Sequence, residues 1–410
     1  MNAEEDIQTL TLDHFGISPN RGFLPDPDPI LVLPDSEVFT SLQSMANYLP
    51  KLLAAGVFRR ELEQFSRDAL YSVASHAFGA TYAYTRGSKA VAQRTKLIMD
   101  YLGQAYVWGQ NPPARVIPPG FAEFWYHVST CANLPPILSY APYALYNWHR
   151  INPDQPIALG NIAVTQNFLG GLDEDWFILV HVDIEQRASA IPFAAIEALK
   201  ALARKDSNLL AAYLSATTES LEQMLNTLDR MTECCDPYIY YTRVRPYLHG
   251  WKNNEALPDG MLYPGVREYG NVPQQFRGES GTQSAIVPTL IAILDIRHTE
   301  SDFTPYLQEM RDYMPLGFRR FIQTIERLSH NGFSIREFVI EHKQNEPGLY
   351  ASYRACRQAL YNFRRKHFEY VGRYIHSQAQ LHQGNPTAIG TAGTPFMTSL
   401  KQLLEETWFD

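Results

Sequence analysis

The sequence is short of charge, of cysteine and of long apolar runs, and each shortage removes a class of function. Charged residues make up 19% of the 410 residues, and 35 Lys and Arg against 43 Asp and Glu leave a net charge of -8. No dense Lys/Arg tract interrupts that acidic balance, so the chain offers no polyanion-binding surface and no nucleic-acid partner is expected. No apolar stretch approaches the roughly 20 residues that span a bilayer. The acidic start Met1-Asn-Ala-Glu-Glu-Asp is unlike a basic signal peptide, so no membrane partner is expected either. The four cysteines, Cys131, Cys234, Cys235 and Cys356, show no CxxC or zinc spacing, and the vicinal pair is badly placed to bridge to itself. They read as reduced thiols of a cytoplasmic protein. Also missing are a GxSxG elbow and a phosphate-binding glycine fingerprint.

What remains is a globular composition rich in rings, with 45% hydrophobic and 12% aromatic residues and length enough for about two or three domains at roughly 150 residues each. Pro19, Pro25, Pro27, Pro29 and Pro34 keep the first 35 residues out of helix and predict an ordered arm or wrapping loop. From about Glu37 to Leu102 apolar residues recur at three and four (Leu49, Leu52, Leu53, Val57, Leu62, Phe65), which is the helical period. The pairs Pro112-Pro113, Pro118-Pro119 and Pro135-Pro136 break that pattern into short pieces up to Trp148, and a domain junction is placed near residue 150. Beyond it, helical patterning covers about 173 to 203, 206 to 231, 283 to 297, 302 to 328 and 346 to 380. The section from Trp251 to Gln283 is too long for an ordinary connection and reads as a functional loop. A second irregular stretch runs from Gln383 to Pro395.

Two histidines and an arginine cluster are candidates for chemistry. Cys356, Leu360, Phe363, His367, Val371 and Tyr374 follow steps of four, three, four, four and three, which puts His367 on a buried stripe while Arg354, Arg357, Arg365 and Arg373 lie largely elsewhere. An imidazole there suits an axial metal ligand, although a hydrogen-bonded core histidine is the commoner outcome of such spacing. His181 interrupts the apolar run Trp176-Phe-Ile-Leu-Val-His-Val, and the same two readings apply. In Tyr238-Ile-Tyr-Tyr-Thr-Arg-Val-Arg-Pro-Tyr-Leu-His-Gly-Trp the arginines sit among rings, a setting for a substrate carboxylate or for an interdomain salt bridge.

Several fragments carry a wider resemblance: Arg21-Gly-Phe-Leu-Pro, Ala105-Tyr-Val-Trp-Gly, Leu134-Pro-Pro-Ile-Leu-Ser-Tyr, Asn147-Trp, Arg245-Pro-Tyr-Leu-His-Gly-Trp-Lys, Gly278-Glu-Ser-Gly-Thr-Gln-Ser, Met310-Arg-Asp-Tyr-Met-Pro, Arg364-Arg-Lys-His and Gly390-Thr-Ala-Gly-Thr. In that order and at that spacing the chain resembles the indoleamine 2,3-dioxygenase family of haem enzymes, and it is read as a bacterial-type member. The resemblance implies an all-α, two-domain haem protein, in which residues 1–150 form a small domain covering the distal haem side and 151–410 a large haem-binding domain. It implies haem b, ferrous in the active state, with His367 as proximal iron ligand and Arg364 near the cofactor. The expected partners are O2, L-tryptophan or another indole, and an electron donor that keeps the iron ferrous. The expected product is N-formylkynurenine, with mono-oxygenation of another indole derivative or a non-catalytic sensor as alternatives.

The same resemblance assigns Arg245 to the substrate carboxylate and Tyr240, Phe177 and Leu248 to the indole site. Tyr140, Tyr143 and Ala144 match the inner pocket floor, and Ser280, Gly281 and Thr391 match loops that close over the amino-acid end, Ser280 reaching the cofactor as well. Three positions depart from the pattern. His181 stands where the animal enzymes have serine and the related tryptophan 2,3-dioxygenases have a distal histidine, which makes it the candidate catalytic contact to the indole N–H. Glu279 replaces a glycine and brings an anion toward the substrate ammonium. Ile291 replaces an aspartate behind the proximal histidine, which alters the tuning of the iron.

Overall fold

The computed structural model describes residues 7–67, 85–301, 303–381 and 397–408. About 65% of the chain is helical, and the described sheet is one antiparallel pair, β1 (Trp148–Arg150) and β2 (Ile162–Val164), in the register Trp148↔Val164. The all-α expectation holds. Among the described residues no helix is long and apolar enough to cross a membrane.

The proline-rich start is an ordered arm, as its composition requires. Its apolar residues Phe15 and Phe23 leave the water by meeting rings of a helix in the second half of the chain, Phe15 against Phe321 at 5.3 Å and Phe23 against Phe318 at 4.9 Å. Helix α1 (Glu37–Ala54) starts where the Ser36 hydroxyl accepts the Phe39 N–H, and it buries Val38, Phe39, Leu42, Ala46 and Leu49 on one face. Helices α2 (Phe58–Phe65), α3 (Lys89–Trp108) and α4 (Pro119–Ala132) follow. From Arg94 onward α3 is buried nearly all round, and its buried charges are partnered: Lys96 and Asp100 bond one turn apart, Asp100 also accepts the Trp125 indole N–H at 2.6 Å, and Arg94 donates to the Thr165 hydroxyl at 2.9 Å. α3 and α4 approach so closely that a Cβ at Gly103 would overlap the Trp125 ring. The paired prolines do not shred this region into short pieces. Pro118-Pro119 open the 14-residue α4, because a proline in the first turn lacks only an N–H that would have no helical partner.

The second half is built from α5 (Leu172–Arg187), α6 (Ile191–Ala203), α7 (Ser207–Asp229), α8 (Ile286–Ile293), α9 (Thr304–Met310), α10 (Leu316–His330), α11 (Ile335–His342), α12 (Pro347–Val371) and α13 (Met397–Thr407). α7 lies along α12, α6 and α5, and α8 packs on α10. The expected continuous helix from 173 to 203 is two helices, since Pro192 cannot bond back into α5 and restrains the residue before it. Pro315 divides the 302 to 328 pattern into α9 and α10 in the same way. α11 was not anticipated, although Ser334 accepting the Glu337 N–H at 3.1 Å is a legible start signal. The buried apolar residues form a single cluster from Ile7 to Leu403 that passes through residue 150 without a gap.

The long section after Trp251 is held by its own apolar residues: Trp251, Leu257, Met261, Tyr263 and Val266 are buried. It is also held by a relay in which the Trp251 indole donates to the Tyr263 hydroxyl at 2.9 Å and that hydroxyl donates to the Pro136 carbonyl at 2.6 Å.

Candidate active site

Three segments converge on one face of α5. The helix opens with Asp173, Glu174 and Asp175, which complement its positive N-terminus, and Glu174 also accepts the Phe168 and Leu169 N–H groups at 2.7 and 2.8 Å. Thus anchored, α5 presents Phe177, His181 and Glu185 at successive steps of four along a single line. Phe177 stacks on Tyr240 at 4.4 Å and lies 4.6 Å from the His181 ring. His181 Nδ1 sits 2.7 Å from the Phe177 carbonyl, which can only accept, so Nδ1 carries the proton and Nε2 is left as the acceptor. Burial lowers the His181 pKa from its ordinary value and keeps that ring neutral.

Tyr240 and Arg245 come from a π-helical turn, Tyr240–Val244, that runs directly into the 3-10 turn Arg245–Leu248. The turn separates two arginines that spacing could not: Arg243 is exposed, whereas Arg245 is wholly buried, with its guanidinium over the Tyr241 ring at 5.4 Å. Leu248 is buried beneath it, and α3 supports the segment from behind, Trp108 donating to the His249 carbonyl at 3.0 Å.

The loop 278–284 is bound to both neighbours. The Glu279 N–H donates to the Leu248 carbonyl at 3.1 Å, and backbone approaches backbone so tightly that a Cβ at Gly250 would overlap the Gly278 nitrogen. Gln283 spans the remaining gap, donating to the Gly278 carbonyl at 2.8 Å and accepting the Tyr140 N–H at 2.9 Å. Ser280 pairs with the Thr282 hydroxyl at 2.9 Å, and Gly281 faces open space, with no neighbouring atom within 4 Å of where a Cβ would stand. Glu279 is 6% exposed, and burial pushes its carboxyl up to about 8. The expected anion is therefore chiefly a neutral acid at pH 7 until a cation arrives beside it.

Tyr140, Tyr143 and Ala144 lie on or beside the buried turn Ala141–Leu145. The Tyr140 hydroxyl donates to Glu185 at 2.9 Å and the Ser284 hydroxyl donates to the same oxygen at 2.8 Å, joining α5, this turn and the loop 278–284 at one carboxyl. Burial pushes Glu185 up to about 7. Glu185 and Gln283 are site residues that sequence reasoning missed, although the step of four from His181 would have pointed to Glu185.

α12 departs from its expected stripe toward its C-terminal end. Cys356, Leu360, Phe363 and Tyr374 are buried, but His367 is exposed and Val371 half-buried. Protein nevertheless crowds the imidazole enough that burial, with smaller contributions from His181 and Arg364, pushes it down to about 4. The His181 contribution places the two imidazoles near one another. Among the described residues His367 has no hydrogen-bond partner. Val287 and Ile291 of α8 are half-buried and pack against the core. Arg364 donates to the Thr407 hydroxyl, and Arg357, expected on the outer face, is 3% exposed and donates to the Thr407 carbonyl at 3.0 Å, so both tie α13 to α12. Thr391 and the stretch from Gln383 to Pro395 lie outside the described residues.

The family model described as indoleamine 2,3-dioxygenase matches residues 11–408. The chain belongs to this family. It is 30% identical to indoleamine 2,3-dioxygenase 2 of Homo sapiens, over 97% of this chain and 95% of that one. It is 32% identical to indoleamine 2,3-dioxygenase 1 of Mus musculus, over 93% and 91%. A further family relative, 28% identical over 90% and 86% of the two chains, is the 6-hydroxytryptophan 2,3-dioxygenase of Fusarium equiseti. These relatives are animal and fungal, and they give the expectation of a bacterial-type member no support.

Proposed function

We propose that this chain is a haem-dependent dioxygenase that opens the C2–C3 bond of L-tryptophan, or of a close indole analogue, to give N-formylkynurenine. The observation that carries the reading is the convergence at α5 of the Phe177–Tyr240 stack and the acceptor nitrogen of His181, with the wholly buried Arg245 on the segment that supplies Tyr240. His367, kept neutral by its lowered pKa, is close enough to feel the His181 ring. Those residues fit a flat, largely apolar cofactor. Enzymes of this family are haem-dependent, and in this reading the group is haem b, held by His367 at the iron and by Arg364 or Ser280 at the propionates. When bound and ferrous, haem supplies the oxygen chemistry, and an external electron donor keeps it reduced.

The protein's share is binding and positioning. Arg245 clamps the substrate carboxylate, Phe177 and Tyr240 hold the indole ring over Leu248, and Tyr140, Tyr143 and Ala144 form the pocket floor. Ser280, Gly281 and Thr391 cover the amino-acid end and exclude water. Glu279 takes the ammonium group, which favours its ionised form. His181 Nε2 accepts the indole N–H. Residues 1–150 act as the cover and 151–410 as the cofactor-bearing part. A cytoplasmic setting goes with this reading, supported by the four unpaired cysteines.

Product mass after aerobic incubation with L-tryptophan is the deciding measurement. A gain of two oxygen atoms is expected; a gain of one would replace dioxygenation by mono-oxygenation, and no change would favour a binding protein without turnover. A second measurement isolates His181. 1-Methyltryptophan lacks the indole N–H, so the parent should turn it over at least about 5-fold less efficiently than tryptophan, in line with one hydrogen bond. His181→Leu should shrink that discrimination toward unity. Unaltered discrimination in the variant would make His181 a pocket wall only.

A further inference from the structure

Tyr143 is set into the core as a phenylalanine would be, apart from its hydroxyl. The residue is 1% exposed, and its hydroxyl oxygen has no hydrogen-bond partner among the described residues. Neighbouring tyrosines do not share that condition: the Tyr101 hydroxyl accepts from the Asn147 amide at 2.9 Å, and the Tyr140 hydroxyl donates to Glu185 at 2.9 Å. Removing a hydroxyl from water without a partner is unfavourable, and Phe would fill the same volume without that penalty. The oxygen is thus costly to the fold and unused by it.

Its surroundings point to the indole end of the site. The Tyr143 ring lies 6.3 Å from Phe177, whose other face is the stack on Tyr240. Beyond burial, the groups that raise the Tyr143 pKa are Tyr101, Glu174, Glu279 and Tyr240, and of these Glu279 and Tyr240 belong to the candidate site. The adjacent Ala144 projects only a methyl group into the same turn. A bare indole would present C–H groups here and leave the phenol unpaired. A ring hydroxyl would both donate to it and accept from it.

We infer that Tyr143 is a specificity-determining residue whose hydroxyl pairs with a hydroxyl on the benzo ring of the substrate, so that the site favours a ring-hydroxylated tryptophan over tryptophan itself. This rests on the indole reading above and sharpens it.

The test is equilibrium binding under anaerobic conditions, by calorimetry on the haem-loaded protein, of L-tryptophan, 5-hydroxy-L-tryptophan and 6-hydroxy-L-tryptophan to the parent and to Tyr143→Phe. The parent should bind at least one hydroxylated ligand about 10-fold more tightly than tryptophan, and the variant should reduce that ratio to within about 2-fold. The variant should melt no lower than the parent, because the hydroxyl it lost bonded to nothing. Equal ratios in the two proteins, or a parent with no preference for either hydroxylated ligand while tryptophan binds, would overturn the inference and leave the indole reading intact. Failure of all three ligands to bind the parent would overturn both.

Discussion

His367→Ala is expected to yield a folded, helical protein that does not retain haem. Ala is the best helix former, and the imidazole it replaces is accessible and has no hydrogen-bond partner among the described residues, so the change removes little from the core of α12. What it removes is the neutral imidazole proposed to hold the iron. Haem content per chain, measured after purification from haem-supplemented cells, should fall from near stoichiometric to a small fraction, and turnover should fall with it. Added imidazole should restore part of the haem absorption by supplying the missing ligand. Full haem content with an unchanged ferrous spectrum would remove His367 from the iron. Far-UV circular dichroism guards against the trivial alternative, since a misfolded chain would lose helix along with haem.

Arg245→Leu should lower kcat/KM for L-tryptophan by about 30- to 1000-fold, the equivalent of about 2 to 4 kcal/mol for removing one partner of a desolvated charge pair. The size of the effect follows from burial. Arg245 is 0% exposed, and burial lowers its pKa, so the guanidinium is held away from water, where a carboxylate counts for more than at the surface. Leu suits the apolar surroundings. Tryptamine, which has no carboxylate, should lose less than about 5-fold between parent and variant. Equal losses for tryptophan and tryptamine would show that Arg245 supports the turn Arg245–Leu248 and not the substrate.

What could be read from the sequence and what could not divide along the range of the forces involved. Helix α12, with its face of Cys356, Leu360, Phe363 and His367, is local information: hydrogen bonds four residues apart and side chains recurring at three and four are written in consecutive positions. The arm at the start, the ends of α6 and α10 and the start of α11 are equally local, because a missing proline N–H or a capping serine acts within one turn. Pro192, Pro315 and Ser334 are such signals. The expectations of no nucleic-acid partner and no membrane-spanning helix rest on net charge and on the lack of any long apolar run, and composition needs no fold. The site residues expected from the sequence depended on the order of short fragments along the chain.

Tertiary structure alone decided where the core face of α12 ends. Spacing placed His367 on a buried stripe, whereas in the fold it is exposed and Phe363 is the last buried residue of the helix. It also decided that Arg245 is buried while Arg243, two residues earlier, is exposed, since the π-helical turn rotates one inward. The step of four from His181 points to Glu185, but its role could not be read from its neighbours, because its two hydrogen-bond partners lie 45 and 99 residues away. The sequence by itself determined the helical class, the order of the motifs and the chemical types in the site. Which carboxyl is neutral, which imidazole is an acceptor and which hydroxyl is left unpaired were decided by the packing, because pKa and hydrogen-bond satisfaction depend on what surrounds a group, and in a fold built from distant segments those surroundings are not adjacent in the chain.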